Sequence, residues 1–249
     1  MLNTTVIYTK EDHIARLTLN RPEADNAIDQ QLAQELDAIC RQINQDSDIY
    51  VVIITGAGDK AFCSGGELAS PESSNYGITT AIASLNQPVI AVINGDALGQ
   101  GLELALSCDI RLASDKAKFG LPQVAKGLIP RDGGTQRLSR IVGKGKALEL
   151  ILTAETISAE EALEIGLVNK VVAEKELAAE AEAMAKTMTT KGPIALRYAK
   201  EAVSKGLDLT LEQGLRLEAD LYLLLHTTDD RIEGIRAFLD KRPPQFKGR

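Results

Sequence analysis

Two short glycine turns and one acidic side chain are the residues of this sequence best suited to chemistry. The stretch Asn94-Gly-Asp-Ala-Leu-Gly-Gln-Gly-Leu-Glu-Leu-Ala-Leu-Ser-Cys-Asp109 follows an apolar strand over residues 89–93. It passes through the turn Gly99-Gln100-Gly101 into a helix that carries Glu103. The first N–H groups of a helix have no partner within it and stand at the positive end of its dipole, so they suit a developing oxyanion. Glu103 follows Gln100 by three residues, which places both on one helical face. Ala61-Phe-Cys-Ser-Gly-Gly-Glu67 holds a second glycine turn after a strand. Alone it reads as a tight bend; paired with the first turn it offers a second N–H. Two donors and a carboxylate are what enolate chemistry on a thioester requires.

Glu103 admits a plainer reading, because a charge within Leu102-Glu-Leu-Ala-Leu106 could simply face water. The leucines leave little polar face for it, and a partly buried carboxylate beside backbone donors would have a tuned pKa. Local sequence leaves both readings open. Other chemistries have less support. Cys63 has no histidine near it and only Lys60 as a basic neighbour, so it reads as packing. His13 and His226 are the only histidines, and no Cys/His cluster has metal-ligand spacing. Gly56-Ala-Gly-Asp-Lys-Ala61 fits the short dinucleotide pattern, yet no helical periodicity follows and no acid stands at the required distance. A plain turn is favoured.

These residues need elements to position them, and the periodicity supplies an alternation of strands and helices. Residues 4–9 and 13–19 read as a hairpin. Ile28, Leu32, Leu36, Ile39 and Ile43 mark an amphipathic helix. Residues 50–55 form a continuous apolar strand, followed by a loop to about Tyr76 and a helix near 77–86. After the strand at 89–93 and the Glu103 helix, strand-like segments fall at 110–113 and 117–119. This is an α/β arrangement with buried strands. From about Thr135 helices dominate, over 144–153, 159–165, 174–190, 193–205, 211–226 and 229–239. Ser158-Ala-Glu-Glu161 and Thr210-Leu-Glu-Gln213 look like capping boxes.

At 249 residues, with 44% hydrophobic and 25% charged residues, the chain suits one large α/β unit with a sizeable core. A net charge of −7 argues against nucleic acid or an anionic membrane as an obligate partner. No apolar run reaches membrane-span length and no signal-peptide pattern opens the chain. Cys40, Cys63 and Cys108 are few and far apart, which reads as reduced thiols and a cytoplasmic location.

Taken together, the motifs resemble the crotonase family of enoyl-CoA hydratases and isomerases, and the match runs essentially end to end. It includes Leu19-Asn-Arg-Pro-Glu-Ala-Asp-Asn-Ala27, Ala61-Phe-Cys-Ser-Gly-Gly-Glu67 and Asn94-Gly-Asp-Ala-Leu-Gly-Gln-Gly-Leu-Glu103. It continues through Ala117-Lys-Phe-Gly-Leu-Pro122 and Gly127-Leu-Ile-Pro-Arg-Asp-Gly-Gly-Thr-Gln-Arg-Leu138. Gly166-Leu-Val168 and Ala237-Phe-Leu-Asp-Lys-Arg-Pro-Pro-Gln-Phe246 complete it. The resemblance implies a spiral of ββα units over residues 1–190, holding the CoA-thioester site. It implies a helical trimerisation region over 191–249, and homotrimers or hexamers. The substrate would be an acyl- or enoyl-CoA, with no metal or redox cofactor. The thioester oxygen would accept from the N–H groups of Gly66 and Gln100. Ala24, Asp25, Ser64, Gly65 and Gly99 would line the CoA cleft, and Phe238 with Lys241 would cover its nucleotide end.

One position departs from the pattern. Hydratases of the family carry a glutamate at the Glu103 position and another where this chain has Gln123. An amide can orient water but cannot donate and recover a proton at neutral pH. The resemblance places Asp132 by the acyl pocket as a compensating acid, with Glu67 a weaker candidate. The segment from Leu68 to Tyr76 is short for the family, which suggests a pocket altered for a cyclic or bulky acyl group. The leading expectation is a hydratase in which Glu103 activates water, Gln123 positions it, and Asp132 or water supplies the α-proton. Double-bond isomerisation, hydrolysis or decarboxylation with one carboxylate is the second reading. A non-catalytic acyl-CoA binder is the rival from another class, and an RNA-binding role is disfavoured by the acidic balance.

Overall fold

The computed structural model describes residues 4–66 and 77–249, so Glu67 and the Leu68–Tyr76 segment lie outside the described residues. The hairpin forms as β1 (Val6–Glu11) and β2 (Ile14–Leu19), paired antiparallel. Helix α1 (Gln30–Gln45) follows, capped by the Asp29 side chain, which accepts from the Leu32 N–H.

Three successive repeats then run strand, short strand, helix. The first is β3 (Val51–Gly56), β4 (Ala61–Cys63) and α2 (Ile78–Ala83). The second is β5 (Val89–Ile93), β6 (Asp96–Leu98) and α3 (Gln100–Leu106). The third is β7 (Ile110–Ser114), β8 (Lys118–Gly120) and α4 (Gly134–Val142). Each repeat places its first strand in a six-stranded sheet ordered β1-β2-β3-β5-β7-β10. Its second strand joins a four-stranded sheet ordered β4-β6-β8-β9. Strands contributed by the repeats pair parallel within both sheets. This is the ββα spiral that the resemblance implies.

Helix α5 (Lys144–Thr153), strand β9 (Thr156–Ser158), helix α6 (Ala159–Glu164) and strand β10 (Lys170–Val172) close the sheets. The C-terminal part is helical: α7 (Glu174–Thr189), α8 (Pro193–Gly206), α9 (Leu211–Leu225) and α10 (Asp229–Leu239). Thr210 and Gln213 make the full reciprocal capping box, and Ser158 caps α6 by accepting from the Glu161 N–H.

The larger sheet is covered on both faces, which explains why β3 and β5 read as unbroken apolar runs. Ile14, Val51, Ile53, Ile90, Val92 and Leu112 pack against Leu177, Ala181 and Ala185 of α7. The opposite face joins α1 and the second sheet in one continuous core that includes Phe62 and Phe119. Helix α8 docks on the first half of the same chain through its cations. Lys200 Nζ meets Asp109 Oδ2 at 2.8 Å and the Gln87 carbonyl at 2.9 Å, and Arg197 reaches the Ile49 carbonyl. The tail is tied back too: the Asp230 carboxylate accepts from the N–H groups of Lys247 and Gly248.

Several elements differ from the sequence expectation. Strand β4 lies in a segment read as loop, β6 within a glycine-rich turn, and β9 and β10 within a helical stretch. Each has only three residues, too few to show a period of two. Helix α4 begins at Gly134, after Gly133 in left-handed backbone, and precedes 144–153, the first helix read in the C-terminal stretch.

Candidate active site

Strand β5 delivers the chain to a tight corner at Asn94-Gly95, and β6 carries it to Gly99, whose φ of +55° turns it into α3. Helix α3 lies directly against β4. A Cβ at Gly101 would collide with the Cys63 carbonyl, so only glycine permits this approach. The close packing brings the two glycine turns together, since a Cβ on Gly65 would lie 3.5 Å from the Gln100 nitrogen. Among the described residues neither the Gly66 nor the Gln100 N–H meets an acceptor. Two adjacent backbone donors therefore stand open at the start of a helix.

Glu103 is 1% exposed, which decides against the solvent-facing reading. Its Oε1 accepts from the N–H groups of Asp132 and Gly134, each at 2.8 Å. Its Oε2 accepts from Gln123 Nε2 at 3.2 Å. Burial pushes the Glu103 pKa up; the two backbone donors pull against that, and the nearby Asp132 charge adds to the rise. The net direction is upward, which favours the proton on Glu103 more than on an exposed glutamate. Gln123 lies on a 3-10 turn, Pro122–Lys126, and its Oε1 is buried with no partner among the described residues. A buried acceptor left open costs free energy until a donor meets it.

Asp132 stands beside both halves of the site. Its side chain accepts from Gln100 Nε2, and its carbonyl accepts from Thr79 Oγ1 at 2.8 Å and Arg137 Nη1 at 2.9 Å. The fold thus joins Gln100, Glu103, Gln123 and Asp132 in one hydrogen-bonded group around the two open donors.

The segment of Ala24 and Asp25 is fastened to the same place. The Ser64 N–H donates to the Asp25 carbonyl at 3.0 Å, and the Ile28 N–H donates to the Gly65 carbonyl at 2.7 Å. Asn26, which sequence reasoning did not single out, is fully buried and secures this junction. Its Nδ2 donates to the carbonyls of Ala57 and Ala61, and its Oδ1 accepts from the Arg21 N–H. The Asp25-Asn26 pair shortly after Pro22, residue types that tolerate the left-handed backbone both adopt, is the sequence signal that could have found it. Phe238 and Lys241 are not brought to this cluster by any hydrogen bond or ion pair among the described residues. Phe238 is 83% exposed on the last turn of α10.

Cys63 is buried and its thiol is pushed up to about 12 by desolvation, consistent with packing. Among the described residues no group of three or more His, Cys, Asp or Glu could hold a metal ion. No helix among them is long and apolar enough to cross a membrane. A cleft of about 930 Å3 opens between α2, α4 and α8, lined by Thr79, Arg137, Lys200 and Val203. It touches the site only at Asp132 and Gly133.

Successive ββα units spiralling into two sheets, with a helical C-terminal region, define the crotonase fold. The family model for enoyl-CoA hydratase/isomerase matches residues 9–249, and the chain belongs to that family. It is 41% identical to the short-chain-enoyl-CoA hydratase of Clostridium acetobutylicum, over 98% of each chain. It is 40% identical to the crotonyl-CoA hydratase of Syntrophomonas wolfei, over 99% of each. The crystal structure of enoyl-CoA hydratase from Bacillus anthracis superposes with a TM-score of 0.96 at 42% identity, covering 98% of this chain and all of that one.

Proposed function

We propose that this protein hydrates an enoyl-CoA thioester, or runs the reverse dehydration, with Glu103 as its one essential carboxylate. The observation that carries the reading is the buried Glu103, its pKa raised, one turn along α3 from Gln100, whose open N–H adjoins the Gly65-Gly66 turn. In this reading the thioester oxygen accepts from both donors, and charge that develops there as water attacks Cβ is stabilised. Removing one such donor typically lowers kcat by roughly 10²–10³. Glu103 takes a proton from the attacking water. Gln123 Oε1, buried and open, accepts the water's remaining hydrogen and fixes its direction of attack. Asp132 or a water supplies the proton to Cα, and Glu103 returns the proton it took to that donor, so the sum is one water added across the double bond.

Ala24, Asp25, Ser64, Gly65 and Gly99 border the entry to the donors and are assigned to the CoA moiety, with Phe238 and Lys241 at its nucleotide end. No cofactor beyond the CoA of the substrate enters the scheme. Residues 191–249 are assigned to trimerisation. Leu207, Leu211 and Leu239 stand exposed there, which fits burial between subunits of a trimer or a dimer of trimers. The proposed setting is the cytoplasm.

Gln123 favours a second reading, enoyl-CoA isomerisation or another one-carboxylate enolate reaction, because its amide cannot carry a proton. Loss of conjugated enoyl-thioester absorbance with crotonyl-CoA, together with a product heavier by one water, tests the first reading. Tight thioester binding with no hydration, and migration of the double bond in a β,γ-unsaturated thioester, would replace it with the second. Binding without any turnover would leave only a binder.

A further inference from the structure

Resting on the thioester reading above, we infer that the Gln100–Asp132 pair selects acyl groups that carry a hydrogen-bond-donating hydroxyl beyond the reacting double bond. Gln100 contributes more than its backbone. Its side chain is folded into the site and only 8% of the residue is exposed. The amide oxygen occupies the space that a Cβ on Gly66 would fill, and the amide nitrogen donates to Asp132 Oδ2. A wall therefore runs from the two oxyanion donors to Asp132. The Asp132 backbone N–H is in turn bonded to Glu103, so the wall borders the carboxylate assigned to activate water at Cβ.

The chemistry of that wall is one-sided. Gln100 Nε2 is turned to Asp132 Oδ2, which leaves Gln100 Oε1 against Gly66 and Asp132 Oδ1 beside them. Among the described residues Asp132 Oδ1 has no partner. Both atoms are acceptors, and the carboxylate keeps Asp132 acceptor-only when ionised. An unsubstituted acyl chain laid against them strips their hydration and returns nothing. A hydroxyl at Cγ or Cδ supplies the missing donor. A site built to bond a substrate hydroxyl rejects the analogue that lacks it far more strongly than a hydrophobic pocket rejects a missing methylene. With Asp132 so engaged as an acceptor, the proton for Cα comes from water; Asp132 is then a specificity residue, and Gln100 is the positioning residue that aims it.

The test separates binding from turnover. Calorimetric titration of the full chain with butyryl-CoA and γ-hydroxybutyryl-CoA, neither of which can be hydrated, reads the preference directly. The hydroxylated thioester is expected to bind roughly tenfold to a hundredfold more tightly, the range for a bond to a charged acceptor. Asp132→Ala should bring that ratio close to one. Gln100→Ala keeps the backbone donor and should weaken the preference while tightening the binding of hexanoyl-CoA. A ratio near one in the unaltered protein, or a preference that survives Asp132→Ala, overturns the inference. Comparing crotonyl-CoA with γ-hydroxycrotonyl-CoA in the absorbance assay adds the kinetic arm, where the preference should appear in KM more than in kcat. If neither unsaturated thioester is hydrated while the binding preference stands, the hydratase reading fails and the specificity assignment holds.

Discussion

Replacing Glu103 by Gln is the perturbation that tests most of the reasoning at once, because the cage around it should accept the change. The Gln oxygen can take the Oε1 position and keep both backbone bonds, from Asp132 and Gly134. Its NH₂ group then faces Gln123, which now donates to Oε2. Two donors would clash, but Gln123 Oε1 is buried without a partner, so rotating that amide converts the clash into a bond. The variant should fold and bind CoA thioesters as before. Hydration should fall by roughly 10²–10⁴, the share of general acid–base catalysis, which is about 3–5 kcal/mol of barrier. The acid limb of the kcat/KM profile should vanish with it. In the unaltered enzyme that limb should stand above the range of an exposed glutamate, since the base must be charged and its pKa is raised. Stability has a definite sign as well. A carboxyl whose folded pKa lies above its ordinary 4.5 stabilises the fold below that value, and the contribution is lost as pH rises through the raised one. Glu103→Gln should therefore be at least as stable as the parent at neutral pH and lose that advantage in acid. Progress curves with crotonyl-CoA and thermal melts at two pH values read all of this. A kcat within threefold of the parent would refute the assignment of Glu103.

Gln123→Glu should raise hydration of crotonyl-CoA by about tenfold or more, by supplying a second proton carrier, and like-charge repulsion should move the acid limb to higher pH; an unchanged rate would show that the second carboxylate is dispensable here. Gly101→Ala should cost roughly 1–3 kcal/mol, as overpacking typically does, and lower Tm by about 2–10 °C, because the new methyl meets the Cys63 carbonyl. An unaltered melt would refute the close approach of α3 to β4. Asn26→Ala leaves the Arg21 N–H and the carbonyls of Ala57 and Ala61 without their partner, at about 1–3 kcal/mol for each that stays dry. Its KM for CoA thioesters should rise more than its kcat falls, since the junction it secures borders the entry rather than the carboxylate.

What the sequence made legible follows from how local each signal is. The strand at Val89–Ile93 and the Glu103 helix are adjacent in the chain, and their apolar pattern and glycines survive reading one residue after another. The motif match carried Gly66, Gln100 and Gln123 into one site across gaps that periodicity cannot bridge. Strands of three residues, such as Asp96–Leu98, exist because two neighbours supply their hydrogen bonds, and that support is invisible along the chain. The contact of Gln100 with Asp132, 32 residues away, depends on α4 returning beside α3. Its existence could be read only once the two turns were placed. Asn26 was missed for the same reason, because its partners at Ala57 and Ala61 lie on the far side of α1 and β3.

The anchors of Glu103 have an evolutionary consequence. Its carboxylate is fixed chiefly by main-chain N–H groups of Asp132 and Gly134, which any sequence folding this way would supply. Its side-chain hydrogen-bond partner, Gln123, differs from a glutamate by one isosteric exchange. Lineages can therefore trade the proton-handling capacity of that neighbour, or the polarity of the wall opposite it, without dislodging the first acid. A backbone-held carboxylate lets the reaction drift while the scaffold stays constant.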